Sequence, residues 1–164
     1  MVILDLSPYT ALKNINVAGN GTITQLNTIS DSSTIESIDI SGTGIEQYSL
    51  NNYSALTSIT LGTSTMVNNT LTSLTITSCN LLTSIDLSYC NVLETANLNN
   101  LSTITSVYVS SNNTTSMKNI DLENDVLLAN VCTTGSTWTD GFNNLTNLLT
   151  LNLNNTSIIS LDLS

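Results

Sequence analysis

The chain has no histidine and no arginine, and its only lysines are Lys13 and Lys118. Twelve acidic residues set the net charge at −10. Binding a nucleic acid requires cations that displace condensed counterions, and two lysines cannot supply them. An anionic membrane surface is disfavoured on the same ground. Charged residues make up only 9% of the chain, so the polar surface has to be built from Asn, Thr and Ser. No apolar run approaches the roughly 18 residues that span a bilayer, so membrane insertion is not expected. The opening "MVILDLSPYT" lacks the basic start of a signal peptide. There are three cysteines, Cys79, Cys90 and Cys132, an odd count without a C-x-x-C, which argues against a zinc knuckle. Without histidine, a cysteine nucleophile has no imidazole to activate it. One proline, Pro8, falls in an early turn, where no ladder hydrogen bond is lost.

What the chain has is a repeat. Hexads of the form L-x-x-L-x-L, with Leu, Ile, Val or Met in the L slots, begin at 1, 12, 35, 56, 71, 82, 104, 117, 148 and 158, with weaker copies at 23 (Thr28 in the last slot), 45 (Tyr48), 93 (Ala96) and 126 (Ala129). The alternation at positions 4 and 6 is strand periodicity. Turn-forming stretches such as "AGNG" (Ala18–Gly21), "SGTG" (Ser41–Gly44) and "SSNN" (Ser110–Asn113) follow, with residues tolerant of positive φ. No 3.6-residue apolar stripe runs beyond two turns. The expected fold is therefore mainly β with little or no helix: a solenoid of about 11 residues per strand–turn unit and about 22 per two-strand coil, each coil stacked on the next. One solenoid is expected over 1–164, with irregular excursions near 62–70 and 132–147. Met66 and Val67 of the first excursion are expected to tuck inward. The two ends carry no polar cap, which fits a fragment or ends that stack on something.

The ninth position of the unit holds Asn20, Thr43, Ser64, Cys79, Cys90, Asn112 and Thr156. Small polar side chains there suit an inward ladder that satisfies backbone groups at the turn. Cys79 and Cys90, one unit apart, should lie on opposite edges of the coil, too distant for a disulfide. "LTSIDLSYCNVLETANLNN" (Leu82–Asn100) and the recurring "LDL" variants, with Asp5, Asp39, Asp86, Asp121 and Asp162, complete the pattern. On these residues the chain resembles leucine-rich repeats of the short nested type called IRREKO. That resemblance implies a solenoid serving as a binding or adhesive scaffold, and it covers nearly the whole chain.

Candidate sites are few. The LDL aspartates could form an acidic strip, but a solvated strand face that discourages edge pairing is the simpler reading. Asp121, Glu123 and Asp125 cluster oxygen ligands of the kind calcium takes, yet at a spacing that fits neither an EF-hand nor a calcium nonapeptide repeat, so no metal or other cofactor is expected. "CTTGSTWTDGFNN" (Cys132–Asn144) holds the only Trp and the only Phe. Trp138, Asp140 and Phe142 there could present a contact for a glycan or protein, or the aromatics could fold back to fill the core. With no motif that places a catalytic group, the expected function is a non-catalytic interaction or adhesion scaffold. It would act at an exterior surface, either a bacterial cell surface or a phage virion, with a protein or glycan partner. A structural spacer that self-associates through its ends is the alternative, and a carboxylate-based hydrolase a distant one.

Overall fold

The computed structural model describes residues 1–28, 32, 34–109, 116–133 and 150–152. Among them every regular element is a strand. The strands are β1 (Val2–Asp5), β2 (Asn14–Asn16), β3 (Ile23–Asn27), β4 (Ser37–Asp39), β5 (Gln47–Asn51), β6 (Ser58–Thr60) and β7 (Ser73–Thr77). They continue as β8 (Ser84–Asp86), β9 (Thr95–Asn97), β10 (Ser106–Val109), β11 (Asn119–Asp121), β12 (Asn130–Thr133) and β13 (Thr150–Asn152). All pairings are parallel, and each joins a strand to the second strand along the chain. Odd strands therefore form one wall and even strands the other, as a two-strand coil requires. The fold is a parallel β-solenoid.

Register follows the repeat. Position 4 of successive units is paired across the coils: Tyr48 with Leu74, Leu74 with Ala96, and Ala96 with Ile120 on the odd wall. On the even wall Ile15 pairs with Ile38 and Ile38 with Ile59, and beyond the break Ile85 pairs with Val107 and Val107 with Val131. These side chains meet in one narrow core with the position 1 and 6 aliphatics, among them Leu50, Leu71, Leu87, Leu98 and Ile104, none of which reaches solvent. Burying one such side chain contributes about 2 kcal/mol, and a lone coil would leave most of it wet.

The unit's turn is as regular as its strand. Position 8 takes a positive φ in six units: Gly19, Gly42, Asn52, Ser78, Asn100 and Asn124. The backbone amide at position 6 donates to the next coil, as Val17 does to Asp39 O at 2.9 Å and Leu98 to Asp121 O at 2.8 Å. Threonine hydroxyls reach one coil back: Thr57 to Glu36 O (3.0 Å), Thr72 to Glu46 O (3.0 Å) and Thr105 to Thr83 O (3.1 Å). Both lysines form ion pairs across adjacent coils, Lys13 with Glu36 at 2.7 Å and Lys118 with Glu94 at 2.8 Å.

Three expectations need correction. The unit expected to start at Val126 starts at Leu128, because Val131 and not Ala129 pairs with Val107 in the core. Val126 and Leu127 are instead exposed in the turn. Ser64 does not serve the ladder. Asn68 does: it is fully buried, its Nδ2 donates to Leu61 O at 3.1 Å, and its Oδ1 accepts the Leu71 amide at 3.0 Å. Met66 is not tucked inward but exposed, lying across the glycine turns of the neighbouring coils, with its Cβ 3.4 Å from where a side chain on Gly42 would begin.

Gly44 stacks so closely on Gly21 that an added Cβ would sit 2.5 Å from the Gly21 carbonyl oxygen, whereas one on Gly21 would meet nothing nearer than 3.8 Å. Gly44→Ala is expected to cost about 2 kcal/mol or more in urea unfolding and Gly21→Ala under about 1 kcal/mol. Equal costs would refute the close stacking of these turns.

Candidate functional site

The odd wall is not continuous. β1 and β3 form one sheet and β5 through β13 another, so no ladder joins β3 to β5. Two local irregularities flank the gap. A bulge shifts the β1–β3 register between Val2 and Ile3, and position 6 of the β3 unit is Thr28, where the other units except that of Thr133 carry an aliphatic. The Tyr53 hydroxyl bonds the Thr28 hydroxyl at 2.5 Å. The two coils are pinned at one end by Gly44 N–H to Ile23 O (2.9 Å) and at the other by Ser54 N–H to Ser32 O (3.1 Å). Between these pins a cleft of about 430 Å³ opens, lined by Thr24, Gln25, Leu26 and Asn27 on one side and Glu46, Gln47, Tyr48 and Ser49 on the other.

The lining is amide and hydroxyl with one carboxylate, Glu46. Gln25 Nε2 donates to Asn27 Oδ1 at 2.8 Å, which orients both amides. Tyr48 is only 5% exposed, and its hydroxyl has no hydrogen-bond partner. Burial pushes this phenol well above its ordinary range, and Tyr53 adds to the effect, so Tyr48 stays a neutral donor. A smaller hollow of about 240 Å³ lies over β7, β9 and β11, between Ser73, Thr75, Thr95, Asn97, Asn119 and Asp121.

The LDL aspartates have a role that the sequence pattern alone did not reveal. Each described one, and Asn16 and Asn97 at the same position in other units, accepts the backbone amide two residues on. Asp5 serves Ser7 (3.0 Å), Asp39 Ser41 (3.0 Å), Asp86 Ser88 (2.8 Å) and Asp121 Glu123 (3.1 Å). Asn16 serves Ala18 (3.0 Å) and Asn97 serves Asn99 (3.4 Å). These are Asx turns that end the strand. The signal was the Asp/Asn interchange at position 5, since only a shared side-chain oxygen explains it. The aspartates sit on both walls and so form no single strip.

Of the other candidates, Asn20 donates to Val17 O at 2.9 Å and Thr43 to Ile40 O at 2.8 Å, as an inward ladder would. Cys79 and Cys90 are buried thiols that follow strands of opposite walls. Burial raises the Cys79 pKa, and burial with Asp86 nearby pushes Cys90 up to about 12, so neither is a thiolate near neutral pH. Asp121 is engaged by Glu123 and Asn99, and Asp125 is buried against Leu101. Among the described residues no three potential ligands converge on a metal position. Trp138, Asp140, Phe142, Asn112, Thr156 and Asp162 lie outside the described residues.

In comparison with known proteins, no family model, no curated protein and no solved structure matches this chain.

Asp39 Oδ1 holds both the amide and the hydroxyl of Ser41, at 3.0 and 2.7 Å. Asp39→Ala is expected to destabilise by about 1 kcal/mol in denaturant titration, and Asp39→Asn to recover most of that loss. An Asn variant as unstable as the Ala variant would show that charge, not the Asx acceptor, matters there.

Proposed function

We propose that the protein is a non-catalytic interaction scaffold that seats a neutral saccharide in the cleft between β3 and β5, at an exterior surface such as a bacterial cell wall or a virion. The cleft itself carries this reading. Its size falls within the roughly 300–1,000 Å³ common for ligand sites. Gln25, Asn27, Gln47 and Ser49 offer amide and hydroxyl groups that match sugar hydroxyls in both donor and acceptor sense. With Glu46 as the one acidic or basic side chain of the lining, an anionic ligand is disfavoured. The titratable side chains support a non-catalytic role, since the described thiols are protonated by burial and the LDL aspartates hold turns.

A second reading, an end-stacking spacer, draws on the first coil. Val2 and Ile3 of β1 are 44% and 52% exposed, and no described strand pairs with the outer edge of β1. Light scattering across a concentration series distinguishes it, because a persistent monomer rejects stacking.

The scaffold reading is tested on a glycan array. The wild type should retain a neutral oligosaccharide, and Gln25→Ala with Gln47→Ala should weaken that binding about tenfold or more at unchanged melting temperature. Undiminished binding by the double variant would remove the cleft from the account. Binding of extended peptides in place of sugars would reassign its ligand.

A further inference from the structure

Position 9 carries out a donor's task. Asn20 gives a hydrogen bond to Val17 O and Thr43 to Ile40 O, in each case the carbonyl three residues back. On the odd wall Cys79 does two things: its sulfur takes the Tyr53 amide from the coil before, and its S–H points to Thr77 O at 3.5 Å. Asp125 occupies the same position. Its backbone amide meets Leu122 O at 3.4 Å, as the Asn20 and Thr43 amides meet Val17 O and Ile40 O at 3.3 Å. Its Oδ1 accepts the Leu101 amide of the preceding coil at 2.7 Å. Leu101 is itself the position 9 residue of that coil and has no polar side chain to contribute. Asp125 is fully buried, and its Oδ2 has no partner.

An ionised carboxylate only accepts. The protonated acid keeps the accepted Leu101 amide and carries no charge on the buried, unpartnered Oδ2, whereas the carboxylate would leave a charge there without compensation. We propose that Asp125 is buried as a neutral carboxylic acid in the ladder that joins the β9 and β11 coils, so that the stack holds best in mild acid and is weakened as rising pH forces an uncompensated charge into its interior.

The surroundings agree. Burial lifts the Asp125 carboxyl to about 7; the Leu101 amide pulls the other way, and the Asp121 carboxylate adds to the rise. Glu123 shares the turn, while the coil below, 95–104, has no titratable side chain, and neither does β13 above. Glu94 and Lys118 are engaged with each other. The sign follows. A carboxyl raised in the folded state adds stability that is complete below its unfolded pKa near 4 and is lost as pH climbs through the folded value. Because the chain has no histidine, few other groups titrate between about pH 5.5 and 7.5, the α-amino group beginning only at the upper end.

The test is carboxyl-carbon NMR titration of the wild type, together with melting curves of wild type and Asp125→Asn. Asp125 should titrate near pH 7 while Asp5 titrates in the ordinary carboxylate range or below. The wild-type melting temperature should fall by roughly 5 °C between pH 5.5 and 7.5, and Asp125→Asn, whose side chain is uncharged at any pH, should be flat across that range. An Asp125 midpoint near 4, or equal slopes for both proteins, overturns the buried neutral acid. If the variant does not fold, the wild-type titration decides alone.

Discussion

Everything in this molecule depends on coils stacking in parallel register. A coil of about two units has two strands of three to five residues, too few to bury anything alone. Stacked, the backbone of one coil is satisfied by the next, and the position 4 side chains line up from Tyr48 through Leu74 and Ala96 to Ile120. Backbone ladder and core come from the same repeat, so neither can form without the other. The shortage of charge fits this constraint. Stacked identical positions would set like charges about 4.8 Å apart, and the two lysines instead stand where a glutamate occupies the same position in the adjacent coil.

The hydroxyl and amide surface is therefore less idle than it looks. Thr57, Thr72 and Thr105 satisfy carbonyls of neighbouring coils, Asp39 and Asp86 close turns, and Asn68 fills the ladder where the 62–70 excursion interrupts the even wall. Departures from the repeat are where chemistry becomes available. The amide-lined cleft opens where β3 and β5 share no ladder, beside Thr28 in an aliphatic slot. An acid at position 9 puts an ionisable group into an otherwise neutral ladder.

The architecture was legible because its determinant is one-dimensional. Aliphatics at positions 1, 4 and 6 return every eleven or so residues, and alternate units do fall on alternate walls. The exceptions are instructive. Val126 and Leu127 imitate a strand start because apolarity alone does not distinguish a turn from a strand, and only the pairing of Val131 with Val107 fixes the phase. Ser64 sits at the counted distance, but the chain loops out there and Asn68 arrives four residues later. Asp125 resembles a cation ligand in sequence because its neighbours are acidic. Its depth and its bond to an amide 24 residues earlier depend on the neighbouring coil, which no local pattern displays. The cleft was invisible for the same reason, since it is an absence of pairing between two strands that each look ordinary.

The central claim is parallel stacking of coils in the stated register, and through-space proton contacts in solution test it most directly. The account predicts nuclear Overhauser contacts that link Leu74 to both Tyr48 and Ala96, and Val107 to both Ile85 and Val131, each spanning one full coil. Contacts confined to residues three or four apart, or cross-strand contacts in antiparallel order, would contradict it.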